Sequence, residues 1–150
     1  MEIRQLRPAE LHSLLDLYRH LHAKDAPLPP REHIEAVWHE ITRSARFRYF
    51  GAFERDVLVA CCNLSVIPNL TRGCRPYGLI ENVVTHAQWR RRGIGRALVQ
   101  HVLNYAWSED CYKVMLLTSR LDEDTLRFYE STGMNRYAKQ GFVAHPPQQE

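Results

Sequence analysis

Four arginines and two glycines share seven consecutive positions, Arg90-Arg91-Arg92-Gly93-Ile94-Gly95-Arg96, between a β-rich run ending at Thr85 and a helical run that follows. A helix start exposes unpaired backbone N–H groups and carries partial positive charge. Glycine at 93 and 95 removes the side chains that would keep a phosphate from those groups, and the arginines add formal charge. The combination predicts a cradle for a pyrophosphate. What the segment lacks narrows the reading. The dinucleotide fingerprint needs a third glycine where Leu98 stands, and the P-loop needs lysine followed by serine or threonine, so neither of those sites is expected.

Other reactive side chains form no comparable set. Eight histidines include His20 and His22, yet no H-E-x-x-H or similar ligand spacing occurs, and no metal is expected. Cys61, Cys62, Cys74 and Cys111 make no C-x-x-C pair and read as reduced thiols. Arg72 and Arg75 lie in a loop, where arginine is ordinarily solvated.

The elements that must position the arginine turn follow from periodicity. Ile3 to Leu6 suits a short strand. Leu11, Leu14, Leu15, Tyr18 and Leu21 recur at helical spacing within 9–22, and Pro27, Pro29 and Pro30 end that helix. A second helix is expected from Glu32 to Ser44. Arg48–Phe53 and Val57–Ile67 read as a hairpin through Glu54-Arg55-Asp56. Leu79–Thr85 is the fourth strand, Gly93–Trp107 the helix after the turn, and Tyr112–Thr118 a fifth, largely apolar strand. Acidic residues at 122–124 open a short helix that stops near Gly133, and Met134–Val143 reads as a last strand before a frayed tail at 144–150. The order β-α-α-β-β-β-α-β-α-β describes one α/β domain spanning 1–150. Strand alternation places Glu81 with Val83 on one face and Asn82 with Val84 on the other, unless a bulge resets the register.

Against this frame the chain resembles the GNAT superfamily of N-acetyltransferases. Its hallmark Q/R-x-x-G-x-G/A is met by Arg90, Gly93 and Gly95. Its F-Y-x-x-x-G-F signature is met by Phe128-Tyr129-Glu130-Ser131-Thr132-Gly133-Met134, with methionine in the last place. The close resemblance covers Leu79 to Val143. Within the superfamily, Ile80-Glu81-Asn82-Val83-Val84 and Cys111-Tyr112-Lys113 are similar to glucosamine-6-phosphate N-acetyltransferases.

The resemblance implies a mixed, mostly antiparallel sheet flanked by helices, with strands four and five splayed around acetyl-CoA. The backbone of Val83, Val84 and Thr85 would meet the pantetheine arm, and Arg90, Arg91, Arg92, Gly93, Ile94, Gly95 and Arg96 would surround the pyrophosphate. Tyr129, beside Phe128, would protonate the departing thiolate, and Glu81 would take the proton of the attacking amine. The family often carries asparagine where Thr125 stands, and Thr125 would make that contact instead. The acceptor, a primary amine of a small molecule, would meet the variable amino-terminal helices and loops. A homodimer built through the last strands is also implied.

Composition bounds the alternatives. The net charge of +3 is too small for a nucleic-acid surface, and no apolar stretch reaches the ~18 residues a membrane span needs. The amino terminus reads as no secretory leader, so a cytoplasmic location is expected. A non-catalytic domain that senses acetyl-CoA or docks a partner stays open beside the enzyme, although such a domain needs neither an acid nor a base.

Overall fold

A computed structural model describes residues 1–147; residues 148–150, the end of the expected tail, lie outside the described residues. The chain forms two compact stretches, Met1–Leu116 and 117 onward.

The first holds strands β1 (Glu2–Gln5), β2 (Phe47–Glu54), β3 (Val57–Ile67), β4 (Tyr77–Thr85) and β5 (Val114–Met115), with helices α1 (Leu11–Tyr18), α2 (Arg31–Arg43) and α3 (Ile94–Ser108). The strands form one mixed sheet in the order β1-β2-β3-β4-β5, antiparallel throughout except for the parallel β4–β5 pair. The expected hairpin closes on Arg55 and Asp56, both left-handed (φ 48° and 67°), which is the turn that matches strand twist. Val59, Ala60, Cys61, Cys62 and Leu64 are fully buried, so β3 is covered on both faces. Neighbouring β2 residues show what covers them. The Tyr49 ring meets Trp38 of α2 edge-on at 5.3 Å, whereas the Phe50 ring meets Tyr105 of α3 at 5.0 Å. Leu14, Leu17, Trp38, Cys61 and Val84 share one core cluster, and Leu98, Val99, Val102 and Ala106 bury the inner face of α3.

Two boundaries differ from the sequence reading in ways that matter. The α-helical part of α1 is shorter than 9–22: Pro8–Glu10 is a 3-10 turn, and Arg19, His20 and Leu21 close only i→i−3 bonds. The fifth strand is two residues rather than seven, pairing only Gly78 with Val114 and Leu79 with Met115. On that side of β4, the edge from Ile80 to Thr85 has no strand partner among the described residues, and this is the expected splay.

The second stretch holds α4 (Glu123–Glu130). Asp122 caps it, accepting the Thr125 N–H at 2.9 Å, and Gly133 at φ 95° follows its end. The last strand expected over Met134–Val143 is absent. Instead Asn135 Oδ1 accepts the Tyr137 N–H at 2.9 Å and turns the chain. No ladder partner compensates, and Tyr137 and Phe142 stay 83% and 90% exposed. Local turn chemistry overrides an apolar run that has nothing to pair with.

Candidate active site

The middle of β4 is irregular. Cys61 pairs with Val84 but Asn63 with Glu81, so one extra β4 residue bulges between them, and Asn82 takes φ 53°. Asparagine tolerates that left-handed geometry better than most residues. Paired residues share a face, so the bulge puts Glu81 and Val84 together, on the face of Cys61 and Asn63. Simple alternation would have separated Glu81 from Val84; the extra residue is the reason it does not.

The same register draws a polar row across the sheet. Tyr49 pairs with Asn63 and Asn63 with Glu81, on three adjacent strands. Asn63 is 9% exposed, the one amide of a strand rich in apolar residues, and Glu81 is exposed. Burial pushes the phenols of Tyr49 and Tyr18 above their ordinary range. Sequence reasoning passed over Asn63; its signal was a lone amide inside Val57–Ile67. An apolar cavity of ≈ 260 Å³ lies between α1 and α2, lined among others by Tyr18, Ile34, Trp38 and the Tyr49 of that row, and it shares no residue with the turn at 90–96.

After β4 the chain makes a 3-10 turn at Ala87–Trp89, capped by His86 Nδ1, which accepts the Gln88 N–H at 3.2 Å. Arg91 (φ 60°) and Gly93 (φ 77°) then both take left-handed backbone. The first bond of α3 runs from the Ala97 N–H to the Gly93 carbonyl at 3.0 Å. The N–H groups of Ile94, Gly95 and Arg96 therefore lead out of the helix end, and no side chain caps it. The first turn of α3 contains no acid and places Arg96 there instead, against the helix dipole. An anion brought from outside would offset that charge. A Cβ on Gly93 would meet nothing within 4 Å, so the space over this backbone is open. The residues fit a pyrophosphate.

The arginine side chains are less uniform than their run suggests. Arg92 lies over the Trp89 ring at 4.8 Å. Arg90 donates to two backbone carbonyls, Thr85 at 3.1 Å and His20 at 3.1 Å. Arg91 and Arg96 are exposed, Val83 and Thr85 are half-buried on the open edge, and Ile94 is buried beneath the turn.

On α4, Tyr129 is half-buried, its ring edge-on to Phe128 at 4.9 Å, and its carbonyl accepts the Thr132 hydroxyl at 2.6 Å. The Thr125 hydroxyl donates to the Asp122 carboxylate at 2.9 Å and so completes the helix cap. These Thr125 bonds hold the Asp122 carboxyl below its usual range. Arg136 reaches both Glu123 (3.0 Å) and Glu130 (2.8 Å) and lowers both carboxyls. Among the described residues no group of three His, Cys, Asp or Glu side chains is placed to hold a metal, and no helix is long and apolar enough to cross a membrane. All four cysteines are free, and burial pushes the Cys62 thiol up to about 12.

Known proteins resemble this chain in sequence and fold. Residues 11–134 match the model of the acetyltransferase (GNAT) family. A glucosamine 6-phosphate N-acetyltransferase of Trypanosoma brucei brucei is 33% identical over 143 residues, 93% of this chain and 92% of that protein. A glucosamine 6-phosphate N-acetyltransferase of Oryza sativa subsp. japonica is 29% identical over 95% of this chain and 82% of that one. A solved structure from Agrobacterium tumefaciens, assigned as an acetyltransferase, superposes with a TM-score of 0.91 at 40% identity, covering 97% of this chain and 100% of that chain. Matched over residues 11–134 and nearly end to end by such relatives, the chain belongs to the acetyltransferase (GNAT) family and is an acetyl-CoA-dependent N-acetyltransferase.

Proposed function

We propose that this chain moves acetyl from acetyl-CoA to the primary amine of a small molecule by direct attack in a ternary complex, with glucosamine 6-phosphate as the acceptor. The observation that carries the acceptor is the match, over nearly the whole chain, to a relative named for that reaction. The uncapped, acid-free start of α3 supports the donor. In this reading the N–H groups from Arg91 to Arg96 hold the pyrophosphate, and the open edge at Val83–Thr85 receives the pantetheine arm. Glu81 takes a proton from the amine as its nitrogen bonds to the thioester carbonyl carbon. Tyr129, assigned from the signature it occupies, gives a proton to the sulfur as the carbon–sulfur bond breaks. Atoms balance without an enzyme-bound acetyl group.

The test is release of free thiol from acetyl-CoA with glucosamine 6-phosphate, set beside glucosamine and a panel of other amines. Release that depends on glucosamine 6-phosphate supports the acceptor, and release with other amines alone replaces it. Thermal stabilisation by acetyl-CoA with no release from any amine favours a sensing domain instead. The cradle has its own test. A side chain on Gly93 enters the open space above the turn, and its left-handed backbone costs a non-glycine residue about 1–2 kcal/mol. Gly93→Val should therefore weaken acetyl-CoA binding about tenfold or more. Isothermal titration showing wild-type affinity in the folded variant would move the phosphate site elsewhere. We also propose a homodimer, because Tyr137, Phe142 and Val143 remain exposed along the chain that follows α4. A monomer mass at sedimentation equilibrium removes it.

A further inference from the structure

Arg90 opens the glycine turn, yet its guanidinium points back along the chain. Nε donates to the Thr85 carbonyl at the end of β4, and Nη2 donates to the His20 carbonyl just beyond α1, 3.1 Å in each case. One planar group thus bridges two elements 65 residues or more apart in sequence, which a flexible ammonium cannot do with the same geometry. The His20 carbonyl lies in the last turns after α1, where carbonyls lack helical partners and the dipole favours a cation.

A second contact braces the same junction. The His20 ring packs on the His86 ring with centroids 4.0 Å apart, and the His86 N–H is anchored on the Val59 carbonyl of β3 at 2.8 Å. Partial burial, His86 and Arg90 hold the His20 imidazole below its ordinary pKa. Beyond this junction no helix or strand occurs until Arg31. The end of α1 is therefore fastened to β4 and β3 at one place, and the chain past it has no ladder of its own.

We infer that Arg90 is a positioning residue, a latch that holds the segment after α1 against the end of β4, and that it is not a ligand of the pyrophosphate. The inference deepens the acetyltransferase reading and rests on it for one consequence. The residue whose backbone begins the donor cradle also fixes the segment that would meet the acceptor, so its loss falls on the acceptor side.

Hydrogen exchange of the unliganded wild type and Arg90→Ala decides the latch directly. Residues 19–26 should exchange about tenfold faster or more in the variant, as expected for losing two charge-assisted hydrogen bonds. Arg90→Lys, which can reach one carbonyl at a time, should fall between the two. Titration with coenzyme A should give a dissociation constant within about threefold of wild type, because no phosphate contact is lost, and the acceptor KM should rise more than kcat falls. Unchanged exchange over 19–26 in Arg90→Ala overturns the latch. So does a loss of coenzyme A affinity of about tenfold or more, the size expected for a phosphate-binding arginine. Failure of the wild type itself to bind coenzyme A is a different result: it removes the acetyltransferase reading, while the exchange data still decide the latch.

Discussion

Tyr129→Phe is expected to bind acetyl-CoA as the wild type does and to turn over about 10²–10⁴-fold more slowly, the usual worth of a positioned general acid. The chemistry sets this. A departing thiolate has a conjugate-acid pKa near 8.5 and a phenol titrates near 10, so a tyrosine is protonated at neutral pH yet close enough in acidity to give its proton up. Phenylalanine keeps the ring that packs on Phe128, and the Thr132 hydroxyl bonds to the backbone carbonyl of residue 129, which the substitution leaves in place. The loss should therefore fall on kcat and on kcat/KM equally. It should also persist as the pH is raised, since a more abundant free amine does not replace a proton missing at sulfur. Wild-type turnover in the folded variant would rule out the acid role.

The features legible in the sequence were those written within a few residues. The glycine–arginine turn, the Arg55–Asp56 hairpin and the acidic start of α4 depend on backbone conformation and charge over short spans, and their residue types declare them. The features that were not legible depend on a partner far along the chain. The bulge at Asn82 exists only relative to the register of β3, and Asn63 gains meaning only once Tyr49 and Glu81 flank it on adjacent strands. The bond from Arg90 to the carbonyl of His20 cannot be read from the arginine run, because its acceptor lies 70 residues away. The fifth strand and the expected last strand failed for a related reason. An apolar run at 112–118 or 134–143 states a preference, but a strand needs a neighbour's free edge. Pairing stops after Met115, and the Asn135 turn claims the chain before residue 143.

The bulge bears directly on Glu81→Gln. Without it, Glu81 would share a face with Val83; with it, Glu81 stands beside Val84 and opposite Asn63, on the face covered by α1 and α2. An exposed carboxylate at the splayed part of β4 can reach solvent and an incoming amine, and glutamine there keeps the shape while removing the basic oxygen. If Glu81 accepts the amine proton, Glu81→Gln should lose about 10²–10⁴-fold in turnover at neutral pH. An amine that must shed its proton unaided reacts in proportion to its neutral fraction. The variant's rate should therefore climb toward the amine's own pKa and recover partly at high pH, where more of the amine is already neutral. That recovery is the opposite of what Tyr129→Phe should show, and damage to the fold would produce neither pattern. The two pH–rate profiles, measured with the same acceptor at saturating acetyl-CoA, thus assign the two protons separately. A Glu81→Gln profile parallel to the wild type at every pH would reduce Glu81 to a structural carboxylate and leave bulk water to accept the proton.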